Sequence, residues 1–268
     1  MIDKIACTFI PNLTQEFIVK KLLLPLTMIV LLVGCKNEDE ELNFEDFFIE
    51  EVSETACNTE EENCAFISIQ TPFAQQAGQR SKTINQNIEN HILGLVDYQE
   101  IKDLGSLEEL AQRFIDDYET SAEEFKEYNI PWEASVEGRI VHNSPELISL
   151  EYKLGLFTGG AHGYTSVSFL NLNPETGEVF SNKDLFTVGF NNYAEKLFRK
   201  RNNIPEEGPI NSTGFFFEED NFQLPKNIGF LKNKVILRYN PYEVASYAEG
   251  GIQLEIPLEE VQEFIKIL

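Results

Sequence analysis

Positive charge is scarce in this sequence. Its 268 residues include 21 lysines and arginines against 45 aspartates and glutamates, which gives a formal net charge of −24. A nucleic-acid backbone is bound by lysine and arginine, which displace its counterions, so this composition argues against a nucleic-acid partner. An acidic surface instead attracts cationic partners, and it also keeps a protein soluble through mutual repulsion.

Histidine is rare as well, with only His91, His142 and His162 in the chain. It is the usual general base near neutral pH and the commonest metal ligand. Nothing in the sequence brings His91 or His142 to His162, and the HExxH, GxSxG and P-loop patterns are absent. We therefore predict no catalytic residue, no metal site and no cofactor, and we expect that the protein is not an enzyme.

A long hydrophobic run is also missing. The apolar run from Leu22 to Val33 is about 12 residues long, whereas a bilayer span needs about 20. It follows two lysines and ends in the lipobox-like sequence LVGC, so residues 1–34 are predicted to be a lipoprotein signal peptide and Cys35 its lipidation site. The alternative is a soluble secreted protein with a chance cysteine. Several acyl chains on Cys35 would anchor the protein stably in the cell envelope.

An acidic segment follows the predicted lipidation site. Residues 35–56 begin CKNEDEELNFEDFFIEE, and such a charge block repels itself too strongly to fold. We predict a solvated tether here. The block also resembles the acidic export signal of surface lipoproteins in the Bacteroides group, which favours the outer membrane and leaves surface display open.

Cysteine is limited to two further positions in the mature chain, Cys57 and Cys64. Outside the cytoplasm a close pair favours a disulfide over a thiol site. A zinc site would need two more ligands, and the other mature cysteine is the predicted lipidation site. We predict a Cys57–Cys64 disulfide that ties the tether to the strand after it.

The remaining sequence alternates between helical and strand periodicity. Apolar spacing predicts helices at 83–95, 107–129, 190–202 and 257–268. Alternation predicts strands at 65–70, 132–142, 147–157, 164–173, 214–219, 222–224, 228–231, 235–239 and 251–256. Elements grouped in this way predict an α+β fold, in which antiparallel β-sheets pack with a few helices. We expect two closely associated domains, at 57–140 and 141–268.

One predicted turn contains residues that could also serve chemistry. The sequence TGGAHG (158–163) joins two predicted strands, and its glycines can supply the positive φ of a tight hairpin. We interpret Thr158, Gly159, Gly160 and His162 as a turn whose functional role would be contact with a partner. The alternative is a catalytic or metal loop, which would place His162 in a cleft beside another titratable group.

Aromatic residues are concentrated in a second motif, YNPYEVASYAEGG (239–251). Tyr239, Tyr242 and Tyr247 could line a carbohydrate groove, or they could fill a corner of the core with their hydroxyl groups hydrogen-bonded. The run Phe215 to Phe217 is open to two interpretations, a buried strand or an exposed apolar patch at a partner surface.

Together these motifs resemble a known two-domain extracytoplasmic family. The stretch from Tyr152 to Gly163, NPETG at 173–177 and the motif at 239–251 look like a domain of unknown function found in RsiV-like anti-sigma factors. The region with the cysteine pair, the strand at Phe66 and the long helix is similar to the domain that precedes it. That first domain also occurs ahead of peptidoglycan deacetylase domains. The pair forms the lysozyme-binding ectodomain of RsiV-like proteins.

The resemblance covers roughly residues 55–265 and implies a binding role. An anti-sigma factor also needs a sigma-binding segment and a membrane span, which we do not find, so its pathway is not carried over. We expect a non-catalytic envelope lipoprotein whose partner is lysozyme, another cationic protein or peptidoglycan, with Thr158, Gly159, Gly160, His162, Tyr242 and Tyr247 as candidate contacts. The alternative is a cell-wall or glycan-processing enzyme that uses His162.

Overall fold

The computed structural model describes residues 42–54, 64–96, 98, 104–125 and 130–267. One sheet has five strands, in the spatial order β1 (Phe44–Val52), β2 (Phe66–Ala74), β3 (Glu133–Asn143), β4 (Ile148–Phe157) and β5 (Tyr164–Leu172). The other has three, in the order β6 (Asn227–Leu231), β7 (Lys234–Tyr239) and β8 (Ile252–Pro257). The helices are α1 (Gln79–Leu95), α2 (Leu107–Glu124), α3 (Asn182–Leu185), α4 (Gly189–Arg201) and α5 (Leu258–Val261). The predicted α+β class is confirmed.

The first sheet contains one parallel pair. β2 runs parallel to β3, while every other pair of neighbours in the two sheets is antiparallel. Parallel neighbours need a long crossover, which here includes α1 and α2. The β2–β3 pairing stops at Gln70, and Pro72 then faces Asp46 of β1, so β2 continues to Ala74, beyond the end predicted at residue 70.

The helices α1 and α2 cover one face of this sheet. Ile84, Ile88 and Ile92 of α1 and Phe114 of α2 are fully buried in the same cluster as Ile67 of β2. The predicted start of α2 is confirmed: the Ser106 hydroxyl accepts a hydrogen bond from the Glu109 N–H at 3.2 Å. No helix within the described ranges is long and apolar enough to cross a membrane.

The second sheet packs on the first through β6. Gly229 lies so close to Phe169 of β5 that any side chain there would overlap the phenyl ring. Two side chains of the first sheet also bond the β6 backbone: Asn171 Nδ2 donates to the Ile228 carbonyl at 2.7 Å, and the Ser149 hydroxyl accepts from the Phe230 N–H at 3.2 Å. Both bonds are buried, so the two sheets share a fixed interface.

The acidic segment is not a solvated tether throughout. The prediction for residues 35–56 is wrong at Phe44–Val52, which forms β1. Phe47 and Ile49 pack against the first core, whereas the acidic side chains beside them are exposed. Burial of apolar area on alternate residues offsets the repulsion between carboxylates that remain in water.

Residues 1–34, Cys35 and Cys57 lie outside the described residues, so the signal peptide, the lipidation site and the Cys57–Cys64 disulfide stay predictions.

The predicted domain boundary and some C-terminal elements differ from the structure. A boundary at 140/141 would cut β3, and the first sheet continues to Leu172. Residues 214–219 and 222–224 form no strands. The closing helix is wrong in length, because α5 ends at Val261 and a 3₁₀ turn (Gln262–Phe264) leads to a bridge between Ile265 and Phe186.

Candidate functional site

The TGGAHG segment is the turn between β4 and β5. The last ladder pair before it joins Leu156 to Tyr164. Gly159 and Gly160 have φ angles of 89° and 99°, a region that L side chains rarely adopt and glycine adopts freely. The predicted glycine-dependent hairpin is therefore observed, whereas the proposed role of Thr158, Gly159 and Gly160 in partner contact stays a prediction.

His162 lies exposed on this turn. Its Nδ1 atom donates to the carbonyl oxygen of the next residue, Gly163, at 3.0 Å. Its ring stacks on Tyr247, with 4.3 Å between ring centroids and 22° between ring planes. In the part of the chain that the structure describes, no group of three His, Cys, Asp or Glu residues could hold a metal ion. The contacts of His162 are those of a turn residue packed on backbone and an aromatic ring.

Tyr247 and Tyr242 continue the stack from the second motif. The Tyr247 hydroxyl donates to the Gly163 carbonyl at 3.0 Å, so this tyrosine bonds the same oxygen as His162. Tyr242 stacks on Tyr247 at 5.4 Å and 29°. Tyr242 is 55% exposed and Tyr247 is 36% exposed. We call His162, Tyr247 and Tyr242 the aromatic row: three rings that are held in place and yet accessible.

Asn240 fixes the second motif against the first sheet. Its side-chain oxygen accepts from the Val167 N–H at 2.9 Å, and its side-chain nitrogen donates to the Val167 carbonyl at 3.0 Å. Asn240 is 6% exposed. The amide thus bonds β5 as a neighbouring strand would, and it holds the loop that carries Tyr242, whose φ of 70° is unusual for a residue other than glycine.

Tyr239, at the start of the second motif, has a different environment. It is 2% exposed, its hydroxyl donates to the Gln223 carbonyl at 2.6 Å, and burial raises its pKa. Nearby Glu243 also has a raised pKa, mainly because it is partly desolvated. Of the two interpretations of this motif, the buried corner fits Tyr239, while Tyr242 and Tyr247 lie on the surface.

The other two histidines lie away from the TGGAHG turn, one on a helix and one on a strand. His91 on α1 bonds the Ser168 hydroxyl at 2.8 Å and packs on the Tyr152 ring, and burial lowers its pKa to about 4. His142, on β3, also has a pKa lowered by burial. Neither belongs to the aromatic row, as predicted from the sequence.

Sequence reasoning singled out both motifs but missed their contact. His162 and Tyr247 are far apart in the chain, and no periodicity links a hairpin turn to a later loop. Asn240 was missed as well, because nothing in the sequence shows that its side chain is buried and bonds Val167. The bonds from Asn240 to Val167 and from Tyr247 to Gly163 both hold the second motif beside the turn that carries His162.

Comparison with known proteins supports two regions in the chain. Residues 58–165 match the family model described as Deacetylase PdaC, and residues 183–259 match the model described as Protein of unknown function (DUF3298). The chain thus combines a PdaC-like region with a DUF3298-like region, which fits the two-domain family of unknown function; the RsiV-like assignment stays a prediction. His162 lies in the first region and both exposed tyrosines in the second, so the aromatic row needs both.

Two solved structures have the same fold. A DUF3298 family protein from Pseudomonas aeruginosa PAO1 has a TM-score of 0.62 and 20% identity, over 85% of this chain and 96% of that one. A DUF3298 family member from Bacteroides fragilis NCTC 9343 has a TM-score of 0.63 and 16% identity, over 84% and 94%. No curated protein matches this chain significantly. At these identities the likeness establishes the fold alone.

We expect Asn240→Ala to lower the free energy of unfolding by about 1–3 kcal/mol, because both backbone groups of Val167 lose their partner in a partly buried place. Urea denaturation would measure the loss. Asn227→Ala is the control, because this asparagine makes an exposed bond to Glu243 at 3.4 Å and its loss should cost less than about 0.5 kcal/mol. Equal losses in the two variants would contradict the role given to Asn240.

Proposed function

We propose that this protein is a non-catalytic lipoprotein of the cell envelope that binds a cationic protein, such as lysozyme, through the aromatic row. In this proposal Cys35 carries the lipid anchor and the outer membrane is the location, with surface display left open. The observation that carries the proposal is Tyr247, which is stacked between His162 and Tyr242 and hydrogen-bonded to Gly163, yet 36% exposed.

Two physical properties support a cationic partner. Arginine and lysine side chains bind well over the face of a tyrosine ring, and Tyr242, at the end of the stack, is the more exposed of the two tyrosines. Tyr247 holds this ring in place, and a ring already fixed by stacking loses little conformational entropy when a partner arrives. The net charge of −24 adds long-range attraction, which speeds encounter and weakens as salt is added. Peptidoglycan is a second ligand that exposed tyrosine faces suit, because aromatic rings pack on sugar rings.

The match to a model described as Deacetylase PdaC supports a second candidate, a cell-wall or glycan-processing enzyme that uses His162 with a carboxylate. The geometry favours it less. His162 is exposed and its Nδ1 is bonded to backbone rather than to a carboxylate. In the triad arrangement, a catalytic histidine is oriented by a third group, often a carboxylate.

Calorimetric titration with lysozyme tests the proposal. We expect binding at about 20 mM salt that is lost at about 500 mM, where charges are screened beyond about 4 Å. Tyr247→Ala should weaken it at least tenfold, and Tyr193→Ala, at a tyrosine bonded to Glu260 outside the row, should leave it unchanged. No binding at low salt, or equal binding by both variants, would reject a cationic partner at the aromatic row.

Soluble peptidoglycan fragments provide the second arm of this experiment. Binding of fragments that depends on Tyr247, without lysozyme binding, would replace the cationic partner with a glycan. Deacetylation or hydrolysis of the fragments that disappears in His162→Ala, while the variant keeps its native circular dichroism spectrum, would establish the enzyme instead.

A further inference from the structure

β1 is an edge strand whose outer side has no partner strand among the described residues. The Gln75 N–H donates to the Asn43 carbonyl, and the Ser53 N–H donates to the Ala65 carbonyl, at the two ends of the β1–β2 ladder. Because hydrogen-bonded pairs alternate in an antiparallel ladder, the odd-numbered residues of β1 bond β2. The N–H and C=O groups of Asp46, Phe48 and Glu50 therefore point away from the sheet.

The side chains of these same residues form a regular exposed pattern. Alternate residues of a strand share one face, so Phe48 lies between Asp46 and Glu50. Phe48 is 60% exposed, and both carboxylates are exposed. There is no lysine or arginine between Leu42 and Glu54. This outer edge therefore presents an acidic, an aromatic and a second acidic side chain in a row.

Such an edge is protected against some partners and open to others. Proteins shield edge strands with proline, bulges, short length or charge, and β1 is nine residues long and keeps an unbroken register with β2. Charge is its one visible protection. A second copy that paired antiparallel about Phe48 would place Asp46 opposite Glu50, and like charges directly opposite each other destabilise a ladder.

We propose that β1 is a strand-addition site for an extended basic segment of a partner protein. The segment adds a sixth strand by pairing its backbone with Asp46, Phe48 and Glu50. Its lysine or arginine side chains lie opposite the two carboxylates, and an apolar side chain lies opposite Phe48, which gives the pattern basic–x–apolar–x–basic. This goes beyond the proposed function, because it uses neither the aromatic row nor a folded cationic surface.

The ends of the strands place this edge near the aromatic row without merging the two. Val52 pairs with Phe66, Phe66 with Glu133, and Glu133 with Phe157, so these four residues line one end of the sheet. The turn that carries His162 follows Phe157. β1 is three strands away from β4, or about 14 Å at the usual strand spacing. A partner with both a folded basic surface and a basic tail could occupy both sites.

A labelled peptide, TKTFTKT, provides the test, with fluorescence anisotropy on the full-length chain and TETFTET as the matched acidic peptide. We expect the basic peptide to bind at least tenfold more tightly. Asp46→Lys with Glu50→Lys should reverse this preference. Glu45→Lys with Glu51→Lys is the control, because it changes the net charge equally on the other face of the strand and should keep the preference. Equal effects of the two double variants would overturn the proposal.

Two further measurements separate strand addition from simple charge attraction. Phe48→Pro removes an N–H that points outward, so β1 should keep its bonds to β2 and still lose the peptide. Methylating the peptide nitrogens that face β1 should abolish binding, whereas methylating the alternate set should not. If the two sets of methylated nitrogens weaken binding equally, the proposal is wrong. This comparison uses the unchanged protein, so it holds even if a protein variant fails to fold. If the protein forms a dimer that dissociates in Phe48→Pro, and the peptide does not bind, the edge would be assigned to a second copy of the chain.

The result can be separated from that for the aromatic row. Tyr247→Ala should bind TKTFTKT as tightly as the unchanged chain, and Phe48→Pro should bind lysozyme as tightly. Loss of peptide binding in Tyr247→Ala would show that the peptide occupies the aromatic row, and would overturn the assignment to β1.

Discussion

Replacing Phe198 with alanine should lower the free energy of unfolding by about 3–5 kcal/mol. Phe198 of α4 is fully buried in the second core, and its ring has aromatic neighbours on several sides. Their centroid distances are 5.0 Å to Phe215, 5.2 Å to Phe217, 5.6 Å to Phe222 and 5.7 Å to Tyr239. Truncation leaves a cavity that none of these rings can fill by a simple rotation, because each is held by further contacts.

Chemical denaturation with two probes would measure this loss. Trp132, the one tryptophan of the chain, packs on Tyr98, Phe114 and Tyr118 in the first core, so its fluorescence reports on that core while circular dichroism reports on both. We expect the circular dichroism transition of Phe198→Ala to move to lower denaturant by more than the fluorescence transition does.

Phe216 gives a control with the same change of side chain. It belongs to the run of three phenylalanines but is 47% exposed, and only its backbone is tied, through an N–H bond to the Val244 carbonyl at 3.1 Å. Phe216→Ala should cost less than about 1 kcal/mol. Comparable losses at positions 198 and 216 would mean that the aromatic cluster does not stabilise the second core as described.

Acidification from pH 6.5 to 4 should remove about 3 kcal/mol of stability through His91 alone. Its folded pKa is about 4, because the ring is mostly buried between the Ser168 hydroxyl and the Tyr152 ring. The unfolded value is 6.5. Above pH 6.5 both states are neutral and the full stability is present. Between 6.5 and 4 the unfolded state takes up a proton that the folded state refuses, so stability falls, and below 4 the loss levels off.

The difference between the unchanged chain and His91→Gln isolates this contribution, since carboxylates titrate alike in both. The unfolding free energies of the two proteins, measured at intervals from pH 7 to 4, should converge as the pH falls. The unchanged chain should be the more stable of the two only near pH 7. A slope in His91→Gln as steep as that of the unchanged chain would assign the acid sensitivity to other groups.

Periodicity predicted most of the helices and strands, because their apolar residues face one core each. β1 was missed because the charge of its segment outweighed the alternation of Phe47 and Ile49 in the sequence reading. The parallel β2–β3 pair and the contact of His162 with Tyr247 were out of reach, since both depend on the path of the chain between distant segments.

The phenylalanine run, which the sequence left open, combines a buried and an exposed part without forming a strand. Buried and exposed side chains alternate along the run, although it pairs with no strand of the described residues. Instead, the Asn211 side chain bonds both backbone groups of Phe217, at 2.8 and 2.9 Å. Phe215 and Phe217 turn toward Phe198 while Phe216 faces out. An irregular backbone held by one amide leaves the same hydrophobic pattern as a strand, so composition could not separate the two.

Because Ser149 and Asn171 bond the backbone of β6, the two sheets should differ in how well each folds without the other. Without its partner, the first sheet would expose the Phe169 ring and return the side chains of Ser149 and Asn171 to water, while all of its strand pairs stay bonded. The second would be left with a bare β6 edge and Gly229 facing solvent instead of Phe169, a form inclined to aggregate. We therefore expect the first sheet to occur in evolution beside unrelated sequences. The second sheet should occur only where a neighbouring domain covers β6.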